Sequence, residues 1–259
     1  MRAGGSARRR AWAALAAALA LAPAPALADL LGAACPGPGA AAILLMPEEA
    51  GRLDDAPLGA LTVTGAYTGA DRRAEDRPRP VGVFVHAGRT ISLELARMDG
   101  LLVVGRDGAA RIAEVRAAPL GGTVHDLRGL DGRMAFARAA AEAGASAFQS
   151  HLLIRDGALD LRELPAAPRA PRRLLLEDAE GRLILWGSGA RPLTLHEAAT
   201  EALAAHAPRM ALNLDMGTWD FCERMTAGGA ISCGLLGREG TARLSNLLRL
   251  FADPACRPR

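Results

Sequence analysis

The stretch Met210–Cys222, MALNLDMGTWDFC, places polar side chains inside an apolar run. Asn213 and Asp215 alternate with Leu212 and Leu214, which is the two-residue period of a strand that buries one face. The two polar side chains then point to one side of the strand and the two leucines to the other. The pattern predicts a strand that ends in a polar turn, and it leaves open what an amide and a carboxylate do there.

Further runs typical of strands lie on the N-terminal side of this stretch, each bounded by turn residues. They cover residues 42–46, 60–64, 81–86, 91–95, 101–104 and 111–116. An alanine-rich segment, 134–144, predicts a helix that ends at Gly144, and 147–154 predicts one strand.

The second half of the chain continues the alternation of strands and helices. Residues 173–178 and 182–187 predict a hairpin, and Thr194 with Glu197 forms a capping-box pattern for a helix that ends near Ala207. Residues 241–251 have leucines at helical spacing and predict a closing helix. No repeat or linker interrupts residues 29–259, so we expect a single α+β domain with mixed or antiparallel sheets and a few packed helices.

The first 28 residues have the pattern of an export signal. A basic start that includes Arg8, Arg9 and Arg10 precedes an apolar stretch, and Ala26-Leu27-Ala28 fits a cleavage site before Asp29. The alternatives are a membrane anchor and a lipoprotein attached through Cys35. Pro23 and Pro25 shorten the apolar stretch below the length of a membrane span, and Gly32 does not fit a lipoprotein signal. We therefore expect a periplasmic or secreted protein with no stable membrane span.

Removal of residues 1–28 changes the charge of the chain. It takes away four arginines and no acidic residue, which leaves 27 arginines against 28 acidic residues and a net charge of −1. Nucleic-acid binding requires a basic surface and, for single strands, aromatic stacking partners. A net charge of −1 gives no surplus of basic residues, and aromatic residues make up only 3% of the chain. No nucleic-acid partner is therefore expected.

The chain has four cysteines, and an even number in an exported protein indicates disulfide bonds. We favour Cys222 with Cys233 across a short glycine-containing loop, and Cys35 with Cys256 between the two ends of the chain. The alternative is that one or both pairs stay reduced. The spacing of the cysteines does not match a zinc site, and no cofactor motif is present, so neither a metal nor a cofactor is expected.

Six blocks of the sequence, taken in order, resemble the motif series of the phosphodiester glycosidase domain family. They are VTGAYTG (63–69), PVGVFVHAGRTIS (80–92), FQSHLLIRDG (148–157), RRLLLEDAEGR (172–182), LTLHEA (193–198) and ALNLDMGT (211–218). The resemblance covers about residues 60–225 and rests on the order of the blocks, because each block alone is common. It implies the fold of that family and an activity on a sugar phosphodiester.

The sequence departs from the family pattern where a site is expected. The family has asparagine at Thr64, glycine at Ala66, Gly-Pro at His151-Leu152, threonine at Arg173, and three glycines at Met216-Gly217-Thr218. Glycine lets a backbone approach a ligand closely. We therefore expect a pocket that is narrower than in the family or differently shaped.

The candidate site consists of residues that match the family pattern, together with Thr218, which stands at a position where the family has glycine. The resemblance implies catalytic roles for Asp215 and Asn213, and substrate contacts for Arg172, Gln149, Gly65, Gly217 and Thr218. A carboxylate at a strand end can act as acid, base or hydroxyl acceptor, and an arginine offers a planar fork for a phosphodiester. Glycosidic cleavage usually requires two carboxylates, so Asp220 and, further away, Glu177 are candidates for the second.

Each candidate also has a structural interpretation. Asn213 and Asp215 fit a pair that caps its own turn, Arg172 a solvated charge beside Arg169 and Arg173, and Gln149 a buried amide bonded to backbone. His206 is interpreted as structural, and His151 has no partner residue that would make a catalytic triad.

Two functions are compatible with the sequence. The first is an exported hydrolase that cleaves the glycosidic bond of a sugar-1-phosphodiester or a related envelope glycoconjugate. The second is a diverged, non-catalytic member of the family that binds a glycan or a protein partner. The expected ligand in the first case is a carbohydrate or sugar phosphodiester.

Overall fold

A computed structural model of the chain describes residues 40–70, 78–216 and 219–251. The predicted signal segment, Cys35, Cys256, Gly217 and Thr218 lie outside these ranges.

The described residues form strands, two α-helices and two short 3-10 helices (Ala50–Leu53 and Arg238–Arg243). The α-helices are α1 (Leu130–Ala143) and α2 (Leu195–His206). The strands, in chain order, are β1 (Ala40–Leu45), β2 (Leu61–Thr64), β3 (Thr68–Ala70), β4 (Pro78–Pro80), β5 (Phe84–His86), β6 (Arg89–Ser92), β7 (Gly100–Val104), β8 (Ala110–Glu114), β9 (Ala118–Leu120), β10 (Thr123–His125), β11 (Ser146–Ser150), β12 (Leu152–Arg155), β13 (Ala158–Leu159), β14 (Arg173–Glu177), β15 (Leu183–Gly187), β16 (Met210–Asn213), β17 (Cys222–Thr226), β18 (Gly229–Ser232) and β19 (Asn246–Phe251).

The strands form three five-stranded sheets and two two-stranded ribbons. The sheet orders are β1-β19-β2-β17-β18, β6-β5-β11-β7-β8 and β13-β12-β16-β14-β15, and the ribbons are β3-β4 and β9-β10. Neighbouring strands within every one of these sheets run antiparallel. The α+β class with antiparallel sheets and few helices is therefore as expected.

Side chains from all three sheets share one apolar interior. Leu102, Leu175, Leu212 and Leu248 come from different strands and belong to the same buried cluster. On β7 the alternate residue, Leu101, faces the other way and packs under α1. Two sheets are thus buried on both faces, which explains why several of their strands are continuous apolar runs.

The two helices cover outer faces of two sheets. Helix α1 packs Phe136 and Ala140 against β5, β7 and β11, and it ends at Gly144, whose φ of 62° is left-handed as predicted. It begins at Leu130, four residues before the predicted start. Helix α2 begins with the predicted capping box of Thr194 and Glu197, and its Ala198 and Ala202 belong to a buried cluster with residues of β12, β14, β15 and β16.

The helix predicted over 241–251 is wrong. The chain makes the 3-10 helix Arg238–Arg243 and then strand β19, which lies between β1 and β2. Leu248 and Leu250 face the shared interior while Leu247 packs in a separate cluster, so both faces are buried. A strand buried on both faces lacks polar alternation, and its leucines also fit a helix.

The single strand predicted over 147–154 is two strands. β11 ends at Ser150 and pairs with β5 and β7, whereas β12 starts at Leu152 and pairs with β13 and β16 in a different sheet. His151 is the residue at which the chain passes from one sheet to the other. Its carbonyl accepts a hydrogen bond from the Asn213 N–H, at 3.0 Å.

One predicted disulfide, Cys222–Cys233, is present. It joins the start of β17 to the residue after β18, with the two Cα atoms 4.8 Å apart. The bond closes the β17–β18 hairpin. Among the described residues, no helix is both long and apolar enough to cross a membrane.

Candidate functional site

Asn213 and Asp215 lie at the C-terminal end of β16, as the alternation predicts. Leu212 and Leu214 are buried in the shared interior, which directs the two polar side chains to the other side. Asn213 is 2% exposed and Asp215 is 8% exposed. Neither is a solvated turn residue.

The segment after β2 lies against Asp215. The Asp215 N–H donates to the Gly65 carbonyl at 2.9 Å, and the Thr68 N–H donates to Asp215 Oδ2 at 3.1 Å. A side chain on Gly65 would collide with Asn246 Oδ1 and would touch the ring of Phe148. Gly65 therefore contributes its backbone to the site and its small size to the packing behind it.

Burial raises the pKa of the Asp215 carboxyl to about 6, although hydrogen bonds from the backbone of Thr68 and Met216 act in the opposite direction. Loss of water around the carboxylate disfavours its charged form, whereas the two N–H donors favour that form. A carboxyl group with this pKa can exchange a proton near neutral pH, which is what a general acid or base requires.

Tyr67 is the centre of the polar cluster. Asn213 Nδ2 donates to its hydroxyl oxygen, and the ring of His151 contacts its ring edge-on, with centroids 5.7 Å apart. Burial raises the pKa of Tyr67, the hydrogen bond from Asn213 lowers it, the Asp215 charge raises it and the Arg172 charge lowers it. Four side chains from three separate parts of the chain thus lie around one phenol.

Arg172 precedes β14 and is half-buried. Its Nε donates to the Leu193 carbonyl at 2.9 Å and its Nη2 to the Pro168 carbonyl at 2.7 Å. Burial lowers its pKa, and Tyr67 is the one ionisable group of the described residues that opposes this shift. Within the described chain the guanidinium has neutral acceptors and no carboxylate partner, so its positive charge is not compensated.

His151 is partly buried beside Tyr67. Burial lowers the pKa of its imidazole, and the charge of Asp99 acts in the opposite direction. The neutral form of the ring is therefore favoured at neutral pH. At this position the chain carries an imidazole that packs edge-on against the Tyr67 ring.

Gln149 is not part of this cluster. It is fully buried, its Oε1 accepts from the N–H groups of Val83 and Ala96 at 3.1 Å, and its Nε2 donates to the carbonyls of Ala96 and Met98. Every hydrogen-bonding atom of the amide already has a backbone partner. Gln149 is therefore a buried amide bonded to backbone, which is the structural alternative that the sequence left open.

The two candidates for a second carboxylate are engaged elsewhere. Asp220 forms an ion pair with Arg173, Oδ1 to Nη1 at 2.6 Å. Glu177 pairs with Arg209 and accepts from the Ile112 N–H. It lies opposite Met210, at the far end of β16 from Asn213, which corresponds to about 10 Å along the strand. Asp215 is therefore the carboxyl group of this set that is placed beside Tyr67.

Thr64, at the position of the family asparagine, has a structural role. Its hydroxyl donates to the Trp219 carbonyl at 2.6 Å and accepts from the Phe221 N–H at 3.0 Å. These bonds tie the end of β2 to the segment that leads into β17. Thr64 therefore binds backbone groups at a position where the sequence comparison suggested a ligand contact.

A cavity of about 1280 Å³ lies beside the cluster and not around it. Its walls include Gly69, Pro80, Gly82 and Ile91. Within the described residues its lining does not include Asp215, Asn213 or Tyr67. The case for a functional site therefore rests on the polar cluster.

No group of three or more His, Cys, Asp or Glu side chains in the described chain is arranged to hold a metal ion. Tyr67 is not among the site residues predicted from the sequence, although it lies in the block 63–69. The sequence feature that could have identified Tyr67 is that it is the one tyrosine of the chain. It also lies in the first of the six blocks that resemble the family motifs.

Comparison with solved structures shows the fold. The catalytic domain of zebrafish N-acetylglucosamine-1-phosphodiester alpha-N-acetylglucosaminidase, auto-inhibited by its pro-peptide, matches with a TM-score of 0.51 and 11% identity, over 83% of this chain and 73% of that chain. A "putative exported protein" from Burkholderia pseudomallei matches with a TM-score of 0.51 and 15% identity, over 82% of this chain and 71% of that chain. No protein-family model and no curated protein sequence matches. At these identities the similarity concerns the fold alone.

Proposed function

We propose that the protein is an exported hydrolase that cleaves the glycosidic bond of a sugar-1-phosphodiester or a related envelope glycoconjugate. One observation carries the proposal: a mostly buried carboxyl group, Asp215, shares a polar cluster with a half-buried guanidinium, Arg172, that has no carboxylate partner among the described residues. The fold shared with the catalytic domain of an N-acetylglucosamine-1-phosphodiester alpha-N-acetylglucosaminidase supports it.

The charges of the cluster fit a phosphodiester. In such a substrate the sugar C1 is bonded to an oxygen of the phosphate group, so the group that leaves when the C1–O bond breaks is a phosphate monoester. This leaving group carries its own negative charge and departs without a strong acid. The positive charge of Arg172 would stabilise it as it departs.

A single carboxylate is sufficient for this reaction. Asp215, with a pKa of about 6, is mostly ionised at neutral pH and can accept a proton from the attacking water. The water oxygen bonds to C1, its proton passes to Asp215, and the electron pair of the broken C1–O bond stays on the phosphate oxygen. The products are a free sugar and a phosphate monoester.

Export is part of the proposal. The predicted signal over residues 1–28 and the disulfide Cys222–Cys233 both favour an oxidising compartment, either periplasmic or extracellular.

The test is hydrolysis of the methyl phosphodiester of N-acetylglucosamine 1-phosphate, followed by release of the free sugar. Wild-type protein should release sugar, and Asp215→Asn should not. Asp156→Asn is the matched control, because Asp156 lies in an exposed turn and has a φ of 50°, which asparagine tolerates. Absence of release by wild-type protein across a range of phosphodiesters would overturn the proposal.

A second function is favoured by a specific observation. Asp220 and Glu177 are held in ion pairs elsewhere, which leaves the cluster with fewer carboxyl groups than most glycosidases use. A non-catalytic protein that binds a glycan would have this composition. Binding of a sugar phosphate without turnover, unchanged in Asp215→Asn, would identify it.

A further inference from the structure

The hydroxyl group of Tyr67 has a proton to donate. A phenol has one O–H donor, and its oxygen accepts the hydrogen bond from Asn213 Nδ2. None of the described residues accepts a hydrogen bond from the Tyr67 hydroxyl. A donor in a partly buried polar cluster with no protein acceptor is available to a ligand.

Tyr67 is held in place by both of its neighbours in the chain. The Ala66 N–H donates to Asn246 Oδ1 at 2.7 Å, and the Ala66 carbonyl accepts from Asn246 Nδ2 at 3.2 Å. On the other side, the Thr68 hydroxyl bonds to Ser245 Oγ at 3.0 Å. With the His151 ring against its edge, the phenol is positioned before any ligand arrives, which reduces the entropy lost on binding.

The Asn213 amide beside Tyr67 also has one atom without a protein partner among the described residues. Asn213 Oδ1 is buried and has no hydrogen-bond partner within the described chain, while Nδ2 of the same amide bonds to Tyr67. Buried acceptors in native proteins nearly always have a donor. A hydroxyl group of a sugar would supply one next to the phenol.

The charge around Tyr67 indicates the type of ligand atom. Arg172 contributes an uncompensated positive charge, and the His151 imidazole favours its neutral form. An anionic oxygen close to Arg172 is therefore favoured over a neutral one.

We propose that Tyr67 is a ligand-contacting residue, whose hydroxyl group donates a hydrogen bond to a phosphate oxygen of the bound sugar phosphate while its own oxygen accepts from Asn213. The inference rests on the proposed function and names the group that recognises the phosphate. It assigns His151 and Asn213 the role of positioning residues for the phenol.

The experiment uses the fact that the chain has one tyrosine. Protein labelled with carbon-13 at the tyrosine Cζ gives one tyrosine NMR signal, whose pH titration reports Tyr67 alone. The ligands are glucose 1-phosphate, inorganic phosphate and glucose, each in a separate titration. Glucose 1-phosphate should raise the Tyr67 pKa further, because a bound anion accepts from the neutral phenol and repels the phenolate. Inorganic phosphate should also raise the Tyr67 pKa if an anion without a sugar is enough, and glucose should leave this pKa unchanged.

Two variants complete the test, with affinity for glucose 1-phosphate measured by calorimetry. Tyr67→Phe keeps the ring and should weaken binding about tenfold or more, the size of one hydrogen bond to a charged acceptor. Ser150→Ala is the matched control, because the fully buried Ser150 hydroxyl also bonds to Asn213, through its backbone carbonyl, and is out of reach of a ligand. Its affinity should stay within about twofold of wild type.

The inference is overturned if a ligand binds and leaves the Tyr67 titration unchanged, or if both variants lose affinity equally. It is also overturned if none of the three ligands binds. The hydrolysis assay separates it from the proposed function. Hydrolysis without a response of Tyr67 overturns the inference and leaves the function. A response of Tyr67 without hydrolysis leaves the inference and overturns the hydrolase.

Discussion

The guanidinium of Arg173 lies 2.6 Å from the carboxylate of Asp220, and the two side chains are 4% and 9% exposed. This ion pair connects β14 to the segment that precedes β17. Burial lowers the pKa of Arg173, and the charge of Asp220 opposes that shift. The contribution of this ion pair to the free energy of unfolding can be measured separately from any activity.

Removal of one partner should destabilise the protein strongly. Asp220→Ala leaves Arg173 as a buried charge without a counter-ion, and we expect a loss of about 3–5 kcal/mol in the free energy of unfolding. The double variant Arg173→Met, Asp220→Leu removes both charges and should be closer to wild type than the single variant. Urea unfolding measures both. A single variant within about 1 kcal/mol of wild type would contradict the importance of the pair.

The pKa of Asp215 predicts how stability depends on pH. The folded carboxyl titrates at about 6, whereas an unfolded aspartate titrates near 3.9. Between these values the folded protein holds a proton that the unfolded chain releases, so the contribution of Asp215 to stability is fully present below about pH 4 and is lost as pH rises through about 6. The contribution of this group is about 3 kcal/mol over that window.

Asp215→Asn should abolish this contribution, since an amide does not titrate. The difference in unfolding free energy between wild type and variant should change by about 3 kcal/mol between pH 4 and pH 8, in favour of the variant at pH 8. Asp156→Asn, in an exposed turn, should follow the wild-type curve. Parallel curves for wild type and Asp215→Asn would show that the carboxyl has an ordinary pKa.

The same pKa predicts the pH dependence of hydrolysis. If Asp215 is the base that takes a proton from water, kcat/KM should rise with pH through about 6 and then level off. A rate that falls as pH rises through that value would instead assign Asp215 as the acid. The measurement is initial rate against pH with the phosphodiester substrate, at pH values where unfolding is excluded by fluorescence.

The disulfide Cys222–Cys233 should contribute to stability by restricting the unfolded chain. The two cysteines are 11 residues apart in sequence, and a loop of this size corresponds to about 2–3 kcal/mol. Replacement of both by alanine, compared with wild type in urea unfolding, measures it.

Mass spectrometry of the unreduced protein should also show the predicted Cys35–Cys256 bond. Two alkylatable thiols would disprove that second pairing.

The predicted signal has a direct test. Protein recovered from the periplasm or medium of an expressing bacterium should begin at or near Asp29. N-terminal sequencing of the recovered chain decides between cleavage and a retained anchor. An intact N-terminus in the membrane fraction would favour the anchor.

Local sequence patterns were sufficient where a short segment determines its own conformation. The capping box of α2, the end of α1 at Gly144 and the disulfide Cys222–Cys233 depend on neighbouring residues, and each formed as predicted. The predicted helix over 241–251 failed because the hydrogen bonds that make β19 a strand come from β1 and β2, which are distant in sequence.

The alternation of Leu212, Asn213, Leu214 and Asp215 by itself determined that an amide and a carboxyl group share one side of a strand end. The tertiary structure decided which side chains meet them there. Tyr67 follows β2, His151 lies where the chain changes sheets, and Arg172 precedes β14, so their convergence depends on how three sheets pack around one core. Burial in that packing also sets the pKa of Asp215, since the loss of water around a carboxylate depends on distant parts of the chain that close around it.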